Sequence, residues 1–327
     1  RVEPGEEVTF TDEVRGAVAF RTDTVDDQVL LKSDGLPTYH LANVVDDNAM
    51  GITHVIRGEE WLPSTPKHVL LYRALGYTPP RFAHLPLILS PTGGKLSKRN
   101  AEKMGIPINV RDYREAGYEP EALVNFLALL GWNPGDEREV MTLDELVAAF
   151  SVARIGQSGT KFDLDKLAWF NGQYLRRRSP VQIATEVLPL VEAAYGPVDA
   201  AYLQRVAALM LERLTFARDL ALLTYFFADP ATYDEAGVNK RWKDNSAALV
   251  RAYADALGDL GSFDASTADA ALRQLAEAQS VGAGQLIHPT RLAVTGRTEG
   301  AGLFETMEVL GQETCVRRLR RAAEVLG

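Results

Sequence analysis

The fold of this 327-residue chain is decided by the stretch HVIRGEEWLPSTPKHVLLYRALG, residues 54–76. Its first four residues form a short run with β-branched side chains, which predicts a strand ending at Gly58. The Ser-Thr-Pro triplet at 64–66 then supplies a cap and a proline for the first turn of a helix. That helix is predicted to stop near Gly76. A strand that enters a turn and then feeds a helix is typical of α/β proteins.

The rest of the front part, to about residue 100, mixes short strands with turns. VLLKS at 29–33, a tight Asp-Gly turn at 34–35 and LPTYHL at 36–41 together predict a β-hairpin. No repeat of fixed period is visible in this part or beyond it.

Beyond about residue 110 the sequence predicts helices alone. Thr142 and Glu145 have the spacing of a capping box. Long helical stretches are predicted at about 182–194, 199–227, 245–257, 266–279 and 304–326. We therefore predict an α/β part followed by an all-α part, with the join between about 105 and 175.

The composition excludes several classes of protein. With 46% hydrophobic and 24% charged residues the chain is not intrinsically disordered. No run approaches the roughly 18 apolar residues that a membrane helix needs. The single cysteine, Cys315, excludes an internal disulfide framework and a thiolate-rich metal site. The opening residues lack the form of a secretory signal, so we expect a cytoplasmic protein.

The net charge of −9 means that an RNA partner would need local basic patches. Two clusters could serve. The first contains Lys161, Lys166, Arg176, Arg177 and Arg178, and the second contains Arg317, Arg318, Arg320 and Arg321. The alternative for both clusters is an ordinary solvated helix face.

The loop SPTGGKLSKRN, residues 90–100, is the most informative stretch for chemistry. Its paired glycines let the backbone approach a ligand closely. Lys95 and Lys98 stand three apart with Ser97 between them, and two ammonium groups on a pliable loop suit a polyphosphate whose charge is changing. The Walker pattern is absent. For this loop alone, a basic surface turn is the competing interpretation.

The stretch PTYHLANVVDDNAMGITHVIRGEEW, residues 37–61, places many polar side chains in apolar surroundings. Polar groups there cost several kcal/mol unless they are partnered, so a cluster at strand ends indicates a site or a buried hydrogen-bond network. Arg57, at the end of its predicted strand, can hold a carboxylate with two hydrogen bonds. Tyr39 and Asn43 would face one pocket if the chain turns helical after Tyr39.

These stretches resemble the bacterial glutamyl-tRNA synthetases, which are class I aminoacyl-tRNA synthetases. The resemblance extends over nearly the whole chain. KLSKR stands where the class has its KMSKS signature, and GYEPEALVNFLALLGW, FDLDKLAWFNGQYL and GQLIHPTRLAVTG follow in the family's order. The resemblance implies a Rossmann-like catalytic part at 1–105, a helical stem-contact domain at 106–178 and an all-helical anticodon-binding domain at 179–327.

The resemblance also implies the chemistry: ATP and glutamate form glutamyl-adenylate, and the glutamyl group passes to tRNA(Glu). Tyr39, Asn43 and Arg57 would contact glutamate. Two neighbours, Glu60 and Trp61, would line the amino-acid and ATP pocket. Within the loop the catalytic residues would be Lys95, Ser97 and Lys98, the two lysines binding the ATP phosphates. Mg²⁺ would arrive with ATP, no protein-bound metal is expected, and the protein would act as a monomer.

The resemblance assigns the rear half to tRNA. The first basic cluster would lie in the stem-contact segment and meet phosphate of the tRNA. Arg213 falls where some relatives have an arginine that reads the anticodon's third base, and arginine can bind a base edge or stack on it. A surface arginine is the competing interpretation, and His288 is expected to be structural.

One departure from the family pattern stands out. Class I synthetases carry a His-x-Gly-His signature, and none of the five histidines of this chain lies in such a setting. The chain also lacks an initiator methionine. We therefore expect it to be part of a longer active ligase and to be inactive alone, with no role assigned to 100–110.

Two other functions fit some of the sequence. A glutaminyl-tRNA synthetase or a tRNA-modifying relative would share the front part, but the helical rear half argues against both. A non-catalytic tRNA-binding protein would fit the missing signature, whereas the intact KLSKR and VIRGEEW stretches favour the ligase.

Overall fold

The computed structural model describes residues 1–327 and divides them into two compact units, Arg1–Phe170 and Asn171–Gly327. The first unit contains all six strands, in a four-stranded sheet and a two-stranded sheet. The strands are β1 (Glu7–Asp12), β2 (Gly16–Arg21), β3 (His54–Gly58), β4 (Arg81–Leu85), β5 (Ile88–Leu89) and β6 (Thr160–Lys161).

The larger sheet has the strand order β2-β1-β4-β3. β1 and β2 form an antiparallel hairpin, whereas β4 runs parallel to both β1 and β3. The register places Arg57 opposite His84, and Asp12 opposite Phe82. Three parallel strands therefore end at the same edge of the sheet, where α/β proteins bind their ligands.

Seven helices accompany these strands or follow them. They are α1 (Tyr39–Ala49), α2 (Thr65–Leu75), α3 (Lys98–Lys103), α4 (Val110–Glu115), α5 (Pro120–Ala128), α6 (Leu143–Ala149) and α7 (Leu164–Leu175). α2 ends at Gly76, whose φ of 69° is the left-handed conformation that glycine adopts without strain. Thr142 accepts a hydrogen bond from the backbone of Glu145 at the start of α6, so the predicted capping box is confirmed.

The predicted hairpin at 29–41 is wrong, because neither of its two strands forms. Only one bridge forms, between Leu31 and Pro37, and α1 begins at Tyr39. The Thr38 hydroxyl donates to the carbonyl of Val29 at 2.9 Å, which closes the turn. The side chains that follow have helical spacing and bury Val44, so the extended conformation stops there.

The second unit is entirely helical. Its helices are α8 (Pro180–Tyr195), α9 (Ala200–Met210), α10 (Glu235–Arg241), α11 (Ser246–Gly258), α12 (Ala265–Ala278), α13 (Gly284–Thr295), α14 (Leu303–Leu310) and α15 (Gln312–Val325). One cluster of buried side chains joins them, including Leu203, Tyr253, Leu272, Leu286 and Leu319. The α/β part followed by an all-α part is therefore as predicted, but the prediction of helices alone beyond about residue 110 is wrong at β6, which pairs with β5.

Two predicted helices are shorter in the structure. The stretch 199–227 stays α-helical only to Met210 and continues as three short 3-10 turns. There Asn171 donates a side-chain hydrogen bond of 2.7 Å to the carbonyl of Thr215, which takes that carbonyl from any helix. The stretch 304–326 is broken at Gly311, which has a φ of 85°. No helix of the chain is long and apolar enough to cross a membrane.

Candidate active site

Arg57 lies at the carboxyl end of β3, with its guanidinium half-buried. Its Nε donates to Nε2 of His84 at 3.1 Å, and its Nη2 donates to Oγ1 of Thr65 at 2.9 Å. Its Nη1 lies 3.4 Å from Nδ1 of His68. These partners are neutral acceptors, and Arg57 forms no ion pair with any carboxylate of the chain.

The remaining donors of Arg57 define what it can bind. His84 accepts from Nε and Thr65 accepts from Nη2, so the side edge of the guanidinium, formed by these two nitrogens, is already occupied. At the end edge, formed by Nη1 and Nη2, the contacts are long: Nη1 lies 3.4 Å from His68 and Nη2 lies 3.5 Å from the carbonyl of Trp61, so an anion there would compete only with weak hydrogen bonds. Burial lowers the pKa of Arg57, opposed by the nearby Tyr39 hydroxyl and by Asp47, and an arginine stays charged at any working pH. A half-buried cation without an acid partner is a site for an anion.

A second histidine keeps the surroundings of Arg57 uncharged. Burial, together with the nearby charge of Arg57, lowers the pKa of His68 to about 3. Its Nε2 lies 2.8 Å from Nδ1 of His40, so the two rings form a chain of hydrogen bonds leading away from the guanidinium. The pKa of His40 is lowered as well, chiefly by burial. Neither ring competes with Arg57 as a cation near neutral pH.

The first turns of α1 bring Tyr39 and Asn43 to the same side of this site. Their spacing of four residues becomes one helical turn, as the sequence predicted. The Tyr39 ring centroid lies 5.1 Å from that of Trp61, and the Arg57 guanidinium lies 5.9 Å from the Trp61 ring. Asn43 donates to Oδ2 of Asp47 at 3.2 Å. The structure therefore gathers Tyr39, Trp61 and Arg57 around one half-open space.

The lysine loop is a short hairpin followed by a helix. Gly93 and Gly94, with φ of 96° and 73°, make the turn that only glycine adopts easily, and Lys95 then bridges back to β5. Ser97 caps α3 by accepting from the backbone of Asn100 at 3.3 Å. Ser97 therefore supports the loop by capping the helix that follows it.

An ion pair ties this loop to the end of β3. Nζ of Lys95 lies 3.1 Å from Oε1 of Glu60. The pKa of Glu60 is lowered, most by a hydrogen bond from its own backbone N–H group and next by Lys95. The Glu60 carboxyl group folds back over Gly58, where a Cβ atom would collide with it. Lys98 begins α3, is exposed, and forms no ion pair within the chain.

Most of the predicted basic clusters are neutralised within the chain. In the first cluster, Lys166 pairs with Glu139 and Arg178 pairs with Glu186 at 2.5 Å. In the second, Arg318 is only 3% exposed, and the exposed Arg317 and Arg320 pair with Asp229 at 2.8 Å and Asp255 at 2.9 Å. The second cluster is therefore largely a structural feature of the helical unit and not an open basic patch.

Arginines without acid partners lie elsewhere in the helical unit. Arg213 is exposed in the 3-10 turn after α9, and its charge is felt at Arg291 and Tyr225. Nη1 of Arg291 donates to the carbonyl of Ala301 at 2.8 Å, and Arg297 lies 5.9 Å from the Tyr225 ring. Tyr225 is only 3% exposed, so what this region offers a polyanion is positive charge and hydrogen-bond donors, mainly from the exposed Arg213 and Arg297.

Sequence reasoning missed the buried half of the site, because Asp12, Thr65, His68 and His84 were not identified as site residues. The signal was present for His84, whose neighbours in FAHLPLI are apolar. The signal for Asp12 lay in a hairpin that we did not assign.

Comparisons with known proteins agree with this geometry. The family model described as tRNA synthetases class I (E and Q), catalytic domain, matches residues 1–169, and an anticodon-binding domain model matches 182–323. The chain is 44% identical to a glutamate–tRNA ligase of Parabacteroides distasonis and 44% identical to one of Porphyromonas gingivalis. Each of these alignments covers 100% of this chain and 68% of the relative.

The fold has been seen in solved structures. A crystal structure of a glutamate–tRNA ligase from Elizabethkingia meningosepticum, in complex with its amino acid, superposes with a TM-score of 0.92 at 39% identity. The superposition covers 100% of this chain and 68% of the Elizabethkingia meningosepticum chain. The ligase from Elizabethkingia anophelis gives a TM-score of 0.90 at 38% identity, covering 99% of this chain and 67% of that one.

Proposed function

Because the chain belongs to the glutamate–tRNA ligases of class I, we propose that its first unit binds glutamate and ATP and that its helical unit binds tRNA(Glu). In the reaction a glutamate carboxylate oxygen attacks the α-phosphorus of ATP, and pyrophosphate leaves. A ribose hydroxyl of the tRNA end then attacks the carbonyl carbon of the adenylate, and AMP leaves. The substrate carboxylate is the nucleophile, so the protein's task is positioning and charge stabilisation.

The observation that carries the proposal is the state of Arg57. Its charge is retained in a half-buried place, its side edge is held by neutral groups, and no acid of the chain neutralises it. A substrate carboxylate on the end edge would take the Nη1 and Nη2 donors, which otherwise make only long contacts of 3.4 Å and 3.5 Å. Tyr39 and Trp61 would enclose the substrate, and Asn43 stands one helical turn from Tyr39.

The triphosphate would lie towards the lysine loop. Lys95 is tied to Glu60, only three residues after Arg57, so the loop and the end of β3 border one space. Lys98 is unpaired, which leaves its ammonium group available for the phosphates as pyrophosphate departs. Mg²⁺ would come with ATP on its phosphate oxygens, as a hard cation bound with its substrate, and would neutralise their charge.

The helical unit would bind the anticodon through its unpaired arginines. Arg213 is exposed and its charge is felt at Arg291, so the two offer hydrogen-bond donors and positive charge together. The division into domains at 105/106 and 178/179 remains our proposal. So does a monomeric state.

The proposed function is tested with the Arg57→Ala variant of the complete gene product. We expect the KM for glutamate in ATP–pyrophosphate exchange to rise by about 100-fold or more, because two charge-assisted hydrogen bonds are lost. The KM for ATP should stay within about threefold of wild type. Equal effects on the two substrates would overturn the assignment of Arg57 to glutamate.

A further inference from the structure

The hydrogen bonds behind Arg57 determine which nitrogen of His84 carries the proton. A guanidinium has donors only, so Nε2 of His84, 3.1 Å from Nε of Arg57, must present its lone pair. The proton of the neutral ring is therefore on Nδ1, which donates to Oδ2 of Asp12 at 2.5 Å. The His84 side chain is completely buried, so water does not replace either partner.

Asp12 is itself fixed from several directions. Its Oδ1 accepts backbone N–H groups from Val14 at 3.0 Å, from Arg15 at 2.9 Å and, more weakly, from His84 at 3.3 Å. Burial would raise the pKa of Asp12, but the hydrogen bonds from His84 and these backbone groups lower it. Asp12 therefore remains an acceptor, and it is the last residue of β1.

We propose that Asp12 and His84 are positioning residues for the amino-acid substrate: the carboxylate fixes the tautomer of the imidazole, and the imidazole holds the guanidinium of Arg57 by its side edge. This rests on the proposed role of Arg57. Thr65 completes the hold, since its Oγ1 lies 2.9 Å from Nη2 of Arg57 and 3.1 Å from Nε2 of His84. The end edge then faces the substrate in one fixed orientation.

The arrangement also explains why a neutral ring, and not an acid, touches Arg57. A carboxylate in direct contact would neutralise the guanidinium and compete with the substrate's own carboxylate. With His84 in between, the negative charge of Asp12 stays one ring's width away from Arg57. The pKa of His84 is lowered, chiefly by burial, so the ring remains neutral and keeps its lone pair near neutral pH.

Two substitutions at one position separate positioning from general support of the fold. The amide of His84→Gln reaches the place of Nε2, so it can still accept from Arg57. The amide of His84→Asn reaches only the place of Nδ1, so it can keep a hydrogen bond to Asp12 but leaves Nε of Arg57 without an acceptor. His54→Gln, at the exposed start of β3, the strand that carries Arg57, is the control.

The steady-state kinetics of ATP–pyrophosphate exchange provide the readout in the complete gene product. We expect His84→Asn to raise the KM for glutamate by about tenfold or more, with the KM for ATP within about twofold of wild type. His84→Gln should stay within about threefold for both substrates, and His54→Gln should match wild type. Asp12→Asn should resemble His84→Asn, because an amide donor favours the tautomer whose Nε2 proton faces Arg57.

A purely structural role predicts another pattern, and that pattern would overturn the proposal. His84→Asn, which keeps a hydrogen bond to the buried carboxylate of Asp12, would then be tolerated better than His84→Gln. The KM values for glutamate and ATP would change alike. If Arg57→Ala itself leaves the KM for glutamate unchanged, the proposed function fails. If Arg57→Ala raises it and His84→Asn does not, only the positioning inference fails.

A measurement without substitutions in the site guards against variants that fail to fold. In ¹⁵N-histidine-labelled protein, the His84 ring should show a protonated Nδ1 and an unprotonated Nε2 across neutral pH, assigned by comparison with His84→Gln. The opposite tautomer, or a charged ring, would contradict the hydrogen bond from Arg57 and overturn the proposal.

Discussion

Replacing Arg318 in α15 should destabilise the helical unit strongly, although the residue belongs to a cluster that the sequence marks as a basic patch. Its Nη1 donates to the carbonyls of Tyr225 at 2.7 Å and Val294 at 2.8 Å, and its Nη2 donates to the carbonyl of Ala228 at 2.8 Å. Its Nε donates to Oδ1 of Asp229 at 2.9 Å. The side chain is 3% exposed, so these acceptors have no ready replacement in water.

The size of the effect follows from these contacts. Arg318→Met keeps most of the volume but leaves three backbone carbonyls without their donor. Each such buried group costs about 1–3 kcal/mol, and removal of one member of a buried charged network costs about 3–5 kcal/mol in all. For a unit of this size, at about 2–4 °C per kcal/mol, the melting temperature should fall by roughly 6–20 °C.

The assay is differential scanning calorimetry of the protein with Arg318→Met and with Arg321→Met as the matched control. Arg321 lies on the same helix and is exposed, so its replacement should change the free energy of unfolding by less than about 0.5 kcal/mol. If the two variants melt within a degree or two of each other, the hydrogen bonds of Arg318 do not stabilise the unit and the reasoning fails.

Three further predictions concern acid stability, the anticodon and the loop. Hydrogen bonds from Arg317 and Arg318 hold the pKa of Asp229 well below its usual range, so its ionised form stabilises the fold above about pH 4 and this stability is lost as the pH falls further. The difference in the free energy of unfolding between wild type and Asp229→Asn, measured with urea, should therefore shrink below pH 4. A difference that does not change with pH would refute this. Arg213→Ala should change the ratio of charging of glutamate and glutamine tRNAs by about tenfold, and an unchanged ratio would make it a surface residue. Lys95→Met should slow ATP–pyrophosphate exchange by about tenfold or more. The melting temperature should stay within about 2 °C of wild type, because the exposed ion pair between Lys95 and Glu60 contributes little to stability. An unchanged exchange rate would show that Lys95 does not act on the phosphates.

Local patterns predicted the elements that depend on neighbouring residues. The strand at 54–58, the helix that ends at Gly76 and the capping box at Thr142 follow from side-chain spacing and backbone preference within a few residues. The start of the helix at Tyr39 was predicted as a strand, because the Asp-Gly turn between two apolar runs has the pattern of a hairpin. In the structure Thr38 closes this turn and only one bridge forms.

The long-range parts of the site could not be predicted. Asp12 meets His84 across 72 residues of sequence, through the parallel pairing of β1 with β4. Arg318 was counted as a surface charge because nothing near it in sequence shows that the carbonyls of other helices converge on it. Arg57, in contrast, was recognised from its position at a strand end, a place that the strand order itself turns into a ligand site.

The central claim is that two cations act on two substrates in one space: Arg57 on a carboxylate and Lys98 on the phosphates. The most direct measurement is glutamate-dependent ATP–pyrophosphate exchange by the Lys98→Ala variant of the complete gene product. We predict a maximal rate lower by about 100-fold or more, with the KM for glutamate within about threefold of wild type. A wild-type rate, or a loss that appears mainly in the KM for glutamate, would contradict the account.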